Sequence, residues 1–273
     1  MPEAMLRGAR VQYRSYGEDK PGTPVLLAHC SLAHSGLWKP IAEALSVDRP
    51  VIAPDMPAHG RSDLPPAGES LQLFAAEMLA MMAESFGRPA HLVGLSLGGA
   101  AQSRAAWKRP ELAASLTMIE PVLFHLLHKP GEEPPVYDPD ISDEALGEAL
   151  DEFIGAWGAP GRVKEMTAER RAYFMRCYRE LRLDNAWVVA RPQGQIELPD
   201  FARLPMPVFL LGGAESQPDA LRVLDAIKGV LPGARRRDIP GAGHMSPVTH
   251  WQDVLAELQA FFAAAEADAA AVA

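Results

Sequence analysis

Four stretches of this chain are apolar almost without interruption: Thr23 to Cys30 (TPVLLAHC), Arg49 to Met56 (RPVIAPDM), Pro89 to Leu95 (PAHLVGL) and Ala114 to Pro121 (ASLTMIEP). A strand with one wet face alternates apolar and polar residues. A strand that loses the alternation is covered on both faces, which is the condition of a parallel sheet under helices. Helical patterns fill the gaps. Trp38, Ile41 and Leu45 share one face, and Leu71, Phe74, Met78, Met81 and Met82 share another, closed by Gly87. Methionines at that spacing fill a core. A fifth apolar run, Met206 to Gly213, is followed by a helix carrying Leu221, Leu224, Ile227 and Leu231. A short strand near Ala234 to Ile239 comes next, then a closing helix with Trp251, Leu255, Leu258 and Phe262. Ala9 to Gly17 alternates and reads as a half-exposed strand. The expected fold class is α/β, a mostly parallel sheet flanked by helices.

The alternation breaks between Val122 and Arg203, where proline, charge and helix formers dominate. SDEALGEALDEFIGAW, opened by Ser142, places Ala145, Leu146, Ala149, Leu150, Phe153 and Trp157 on an apolar face, and TAERRAYFMRCYRELR reads as a second helix. The expectation is a core of residues 1–121 and 204–273, with 122–203 as a helical lid rooted at the carboxyl ends of the strands and covering them. The alanine-rich tail is expected to fray.

The net charge of −9 disfavours nucleic acid and offers no polybasic patch to anionic lipid. No run is long and apolar enough for a membrane span, and the first residues carry no secretory pattern. Cys30 and Cys177 are far apart and read as two reduced thiols, so a cytoplasmic setting is expected.

The third apolar run leads into Gly94-Leu95-Ser96-Leu97-Gly98 and then a small-residue helix. Flanking glycines let a tight turn hold a strained serine, and the helix start beginning at Leu97 aims N–H groups at its oxygen. Such donors stabilise an oxyanion. His244 lies in PGAGH, a glycine-rich turn between a strand and the closing helix. A free imidazole titrates near ~6.5, so a histidine there can take the Ser96 proton. His59, His125, His128 and His250 read as surface or loop residues. No pair of histidines has ligand spacing, so no metal site is read.

These motifs resemble the α/β-hydrolase superfamily, in its esterase-like branch with a helical cap. The similarity is clear in Val25–Met56, Ala90–Pro121 and Met206–Pro247. It rests on the Ser96 elbow, on the histidine loop Gly241 to Pro247, and on Asp55 to Ser62, where Ala58 replaces a common glycine. The resemblance implies chain order serine, acid, histidine. It also implies that in His29-Cys30-Ser31 the residue after the usual His-Gly pair, here Ser31, donates the second oxyanion N–H beside Leu97. Cys30 stands in the glycine's place, and as a nucleophile it lacks an elbow and a base. The family's usual acid position falls on Ser216 or Glu215, depending on which glycine starts the count. One group of haloalkane dehalogenases instead carries the acid after the strand that follows the elbow helix, and Glu120 occupies that place. Glu120 is the preferred acid, since a carboxylate ending an apolar strand needs a partner, with Glu215 as the alternative.

Hydrolysis of a carboxylic ester or related acyl bond is therefore expected, on a small, moderately hydrophobic substrate and with no cofactor. Ser96 argues against the sister chemistries that need a carboxylate nucleophile. C–C bond hydrolysis of ring-cleavage diketones, perhydrolase chemistry, and a non-catalytic ligand receptor on the same fold remain alternatives. Oligomeric state is not legible.

Overall fold

The computed structural model describes residues 1–128, 132, 138, 140–158, 166–189 and 194–272, with 183–189 and 272 as backbone only. Parts of the expected lid, including 129–131, 133–137, 159–165 and 190–193, lie outside the described residues.

The apolar runs form the middle of one eight-stranded sheet. In chain order the strands are β1 (Glu3–Leu6), β2 (Ala9–Tyr16), β3 (Val25–Ala28), β4 (Val51–Pro54), β5 (Ala90–Leu95), β6 (Ala113–Ile119), β7 (Val208–Gly213) and β8 (Arg235–Ile239). Their spatial order is β1-β2-β4-β3-β5-β6-β7-β8. β1 and β2 pair antiparallel, as do β2 and β4, and every later pairing is parallel. β1 is missing from the sequence reading. It is four residues long, and its hairpin turns through Arg7 and Gly8, both at positive φ (47° and 87°). Those angles fit the tight two-residue hairpin turn that matches strand twist.

Helices α1 (Lys39–Leu45) and α9 (Trp251–Val272) cover one face, while α2 (Leu71–Glu84), α3 (Leu97–Lys108) and α7 (Pro218–Val230) cover the other. The period of two along β3 explains the division. Val25 and Leu27 enter the core shared with Trp38, Ile41, Leu258 and Phe262, whereas Leu26 and Ala28 enter the core shared with Met78, Leu79 and Leu116. Ser70 caps α2 by accepting from the Leu73 N–H at 3.3 Å. The tail expected to fray is instead helical through Val272, which follows from alanine's high helix propensity.

Between β6 and β7, among the described residues, the chain makes helices and no strand: α4 (Asp143–Trp157), α5 (Ala168–Val189) and the short α6 (Leu198–Phe201). Ser142 caps α4 through the Ala145 N–H at 3.2 Å. Leu146, Leu150 and Ile154 of α4 are buried against α5, leaving Phe153 and Trp157 to face a cavity. A last short helix, α8 (Ser246–Thr249), follows the β8 loop. Strand order reverses direction at β3, with β4 on one side and β5 on the other, so the loops after β3 and β5 diverge there. Open α/β sheets bind ligands at such a point, beyond the carboxyl ends of the strands.

Candidate active site

Ser96 follows β5 and opens α3 with φ 56° and ψ −114°. That backbone costs a non-glycine residue about 1–2 kcal/mol. Its surroundings hold it in place: the Ser96 N–H donates to the Ile119 carbonyl at 2.8 Å, and its own carbonyl accepts from Ala100 and Val122. The two flanking glycines are steric necessities. A Cβ on Gly94 would sit 2.3 Å from the Gly98 carbonyl oxygen, and one on Gly98 would sit 2.3 Å from that of Ala28.

Leu95 pairs with Ile119, so Glu120 emerges one rung beyond β6, beside the serine. Glu120 is also at positive φ (43°) and is 1% exposed. Both carboxylate oxygens are occupied. Oε2 lies 2.7 Å from His244 Nδ1, while Oε1 accepts from the Gly213 N–H at 2.7 Å and from the Ser216 hydroxyl at 2.5 Å. Burial alone would raise this carboxyl. The hydrogen bond and charge of His244, with Ser216 and Gly213, outweigh burial and hold it below the usual glutamate range. Glu215 is exposed, and no contact joins its carboxylate to His244 among the described residues.

His244 is 8% exposed. Because Nδ1 faces a carboxylate, Nε2 is the nitrogen left for the cavity, and the Trp157 ring packs against the imidazole edge-on with centroids 5.1 Å apart. Ser96 and His244 line the same cavity of about 610 Å³. No direct hydrogen bond joins them, which is common before substrate draws such a pair together.

The loop after β3 supplies another wall through Cys30, Ser31 and Leu32. Cys30 is not at positive φ, so the backbone needs no glycine there; the left-handed residue is Leu32, at φ 63°. The Ala33 N–H donates to the Cys30 carbonyl at 3.3 Å, closing a turn. Leu97, as the first residue of α3, has an N–H without an intrahelical acceptor. Burial pushes the Cys30 thiol up to about 12, which removes it as a thiolate nucleophile at neutral pH. Cys177 is buried as well, and both cysteines are free.

Three contributors to this region were not read as site residues from the sequence, although His29 and Asp55 lie in stretches that carry the family resemblance. His29, fully buried, accepts the Met56 N–H on Nε2 at 2.8 Å, which makes Nδ1 the donor to the Cys30 carbonyl at 2.7 Å. Burial drives its pKa down to about 3, with His59 adding repulsion, so the ring is neutral and keeps that tautomer. Asp55 accepts the backbone N–H groups of Ser35 and Arg61 at 2.7 and 3.0 Å, tying the loop after β3 to the loop after β4. Tyr173, on α5, reaches both loops. Two of the histidines read as surface or loop residues, His59 and His125, are fully buried, with ring nitrogens against the carbonyls of Pro57 and Ile196. Among the described residues, no group of three or more His, Cys, Asp or Glu is placed to hold a metal ion, and no helix is long and apolar enough to cross a membrane.

The model of the alpha/beta hydrolase family matches residues 25–258. The chain belongs to that family. Among curated relatives, it is 37% identical over 98 residues to a pimeloyl-[acyl-carrier protein] methyl ester esterase of Methylococcus capsulatus, covering 36% of this chain and 37% of that protein. The chain spans about a quarter to a half of the length of the curated relatives it matches. Among solved structures, the enol-lactonase from Burkholderia xenovorans superposes with a TM-score of 0.74 at 17% identity, covering 96% of this chain and 100% of that one. A meta-cleavage product hydrolase from Pseudomonas fluorescens gives 0.72 at 18%, covering 97% and 98%. Both structures share the fold with this chain.

Proposed function

We propose that this hydrolase cleaves a carboxylic ester, or a related acyl bond, through a seryl acyl-enzyme. The observation that carries the reading is the 2.7 Å contact between His244 Nδ1 and Glu120, which leaves Nε2 for the cavity that Ser96 lines. Ser96 Oγ attacks the acyl carbon and its proton passes to His244 Nε2. The carbonyl oxygen becomes an oxyanion between the N–H groups of Ser31 and Leu97. Collapse of the tetrahedral intermediate breaks the bond to the leaving alcohol, which takes the proton from His244. Water, deprotonated by the same nitrogen, then attacks the acyl-serine and frees the acid. Glu120 holds the imidazole in the productive tautomer and stabilises its positive charge.

Residues 1–121 and 204–273 form the catalytic core in this reading, and 122–203 the cap that selects substrate. Phe153, Trp157 and Phe174 from the insertion meet Leu37 and Val248 from the core around the cavity, a wall suited to a moderately hydrophobic small molecule. The relative named as a methyl ester esterase supports ester chemistry. Two buried, unlinked thiols fit a reducing, cytoplasmic setting.

The test is a panel of aryl esters of graded acyl length, run beside a ring-cleavage diketone, on the parent chain and on Ser96→Ala. Ester turnover is expected in the parent, and a loss of at least about 10³-fold in Ser96→Ala. Turnover of the diketone alone, or an active Ser96→Ala, contradicts the proposal.

A further inference from the structure

The turn that presents the Ser31 N–H is strained and is held from two sides. Within Cys30 to Ala33 the third residue, Leu32, takes φ 63°, a position that favours glycine. Such a backbone persists only where its surroundings fix it. From the core, His29 Nδ1 donates to the Cys30 carbonyl at 2.7 Å. At the far end of the turn, the Tyr173 hydroxyl donates to the Ala33 carbonyl at 2.8 Å and accepts the Gly60 N–H at 2.8 Å. Tyr173 stands on α5, which belongs to the insertion and not to the sheet. One helical turn on, the Cys177 thiol donates to the Ala58 carbonyl at 3.3 Å, and Ala58 is also left-handed at φ 65°. One face of α5 therefore grips two left-handed loops, those after β3 and β4, by their backbones. Tyr173 and Ser31 line the same cavity.

We propose that Tyr173 is a positioning residue: its hydroxyl clamps the Cys30–Ala33 turn, so that docking of α5 and presentation of the Ser31 N–H are one event. The inference rests on the proposed role of Ser31 as an oxyanion donor. Its physical content is a coupling. With α5 docked, the strain at Leu32 is offset by two hydrogen bonds that Tyr173 makes at once. With α5 displaced, the Ala33 carbonyl and the Gly60 N–H lose their partner, the turn is free to relax, and the Ser31 N–H swings from the oxyanion. The insertion then does more than wall off the cavity, since it also assembles the charge-stabilising half of the site. A substrate large enough to engage Phe174 and Phe153 thereby favours the catalytic arrangement it needs.

The experiment compares the parent, Tyr173→Phe, Leu32→Gly and the double variant. Each is assayed with p-nitrophenyl butyrate and with an aryl trifluoromethyl ketone. Ser96 adds to that ketone's carbonyl carbon, and its oxygen becomes an oxyanion as the serine proton moves to His244. Tyr173→Phe keeps the ring and removes the clamp. It is expected to lower kcat about 10- to 100-fold with KM within about threefold, and to weaken ketone binding by a similar factor. Leu32→Gly removes the strain, so the Tyr173→Phe loss in that background should shrink by at least about threefold. A merely structural role would leave ketone binding in step with KM and show no rescue.

Unchanged ketone binding in Tyr173→Phe, a loss carried by KM alone, or an undiminished loss in the glycine background overturns the proposal. Should Tyr173→Phe alone fail to fold, the glycine pair decides: a loss above about 30-fold between Leu32→Gly and the double variant overturns it. A parent chain inert on every ester overturns the proposed function and this inference together, whereas an active parent with an equally active Tyr173→Phe overturns only this inference.

Discussion

Glu120 divides its two oxygens between different tasks, and that division makes a glutamine a poor substitute. If a glutamine in its place turned the amide carbonyl to His244 Nδ1–H, the NH2 group would point at the Gly213 N–H, donor against donor. If the amide flipped, the donors would meet at His244 instead. Either way a buried group loses its partner, at about 1–3 kcal/mol, and the imidazolium loses its counter-charge. Glu120→Gln is therefore expected to lower kcat on a good aryl ester by about 10²- to 10⁴-fold, and Glu215→Gln by less than about twofold, in steady-state assays of the two variants. The reverse ranking would move the acid to Glu215. Because the Glu120 carboxyl is held below its ordinary range, its stabilising contribution is complete above about 4.3 and is lost as pH falls through the lowered value. Ser96, Glu120 and His244 stood out in the sequence because each has a local signature: an elbow, a charge ending an apolar strand, a glycine-rich turn. Tyr173 did not, because it acts on backbone groups of loops far off in the chain, and His29 and Asp55 lie in recognisable stretches that do not show which backbone groups their side chains hold. Tyr173 meets Ala33 across 140 positions, and nothing in either neighbourhood records the other.

Among the elements, the buried strands were legible because burial on both faces erases alternation, and their short length between turn residues sets them apart from helices. β1 was lost because four residues flanked by a turn carry too little pattern, and its burial alternates only between exposed and half-buried. The register of α4 was partly visible. Leu146 and Leu150 are buried as the spacing predicts, and Phe153 and Trp157 line the cavity, but Ile154, outside the expected stripe, is buried and lines the cavity too. A sequence pattern marks an apolar stripe without saying which edge of it meets another helix and which meets a substrate. Under the proposed ester chemistry, α4 would act as a ruler for acyl length. Phe153→Ala removes bulk from the cavity wall, so the hexanoate-to-acetate ratio of kcat/KM should rise by about threefold or more in competing-ester assays, each added methylene being worth about 1 kcal/mol in such a pocket. An unchanged ratio would place Phe153 outside the substrate's reach.

At the scale of the whole molecule, the chain order of the main elements other than β1 followed from periodicity, and the break between β6 and β7 from a change in composition. The contacts that hold the insertion on the core were not legible, because they depend on side chains such as Tyr173 that meet the core only in three dimensions. The buried histidines make a prediction for the entire fold. Burial lowers His29 to about 3, and His59 and His91 to about 4. The unfolded chain takes protons on all three near ~6.5. Between those limits the unfolded state binds more protons than the native one, so stability is highest above pH ~6.5 and falls as pH drops toward about 4. Urea midpoints should decline steadily from pH 7 to 5, by about 1–2 kcal/mol of stability for each such histidine. Midpoints flat over that range would mean that the native rings take up protons as readily as those of the unfolded chain. The measurement that bears most directly on the chemistry is rapid acid quench during turnover of p-nitrophenyl acetate, followed by peptide mapping. A single acetyl group on the Ser96 side chain, absent from Ser96→Ala, is the expected result. An acetyl group on Cys30 or any other residue, or steady turnover by Ser96→Ala with no acyl-enzyme at all, would contradict it.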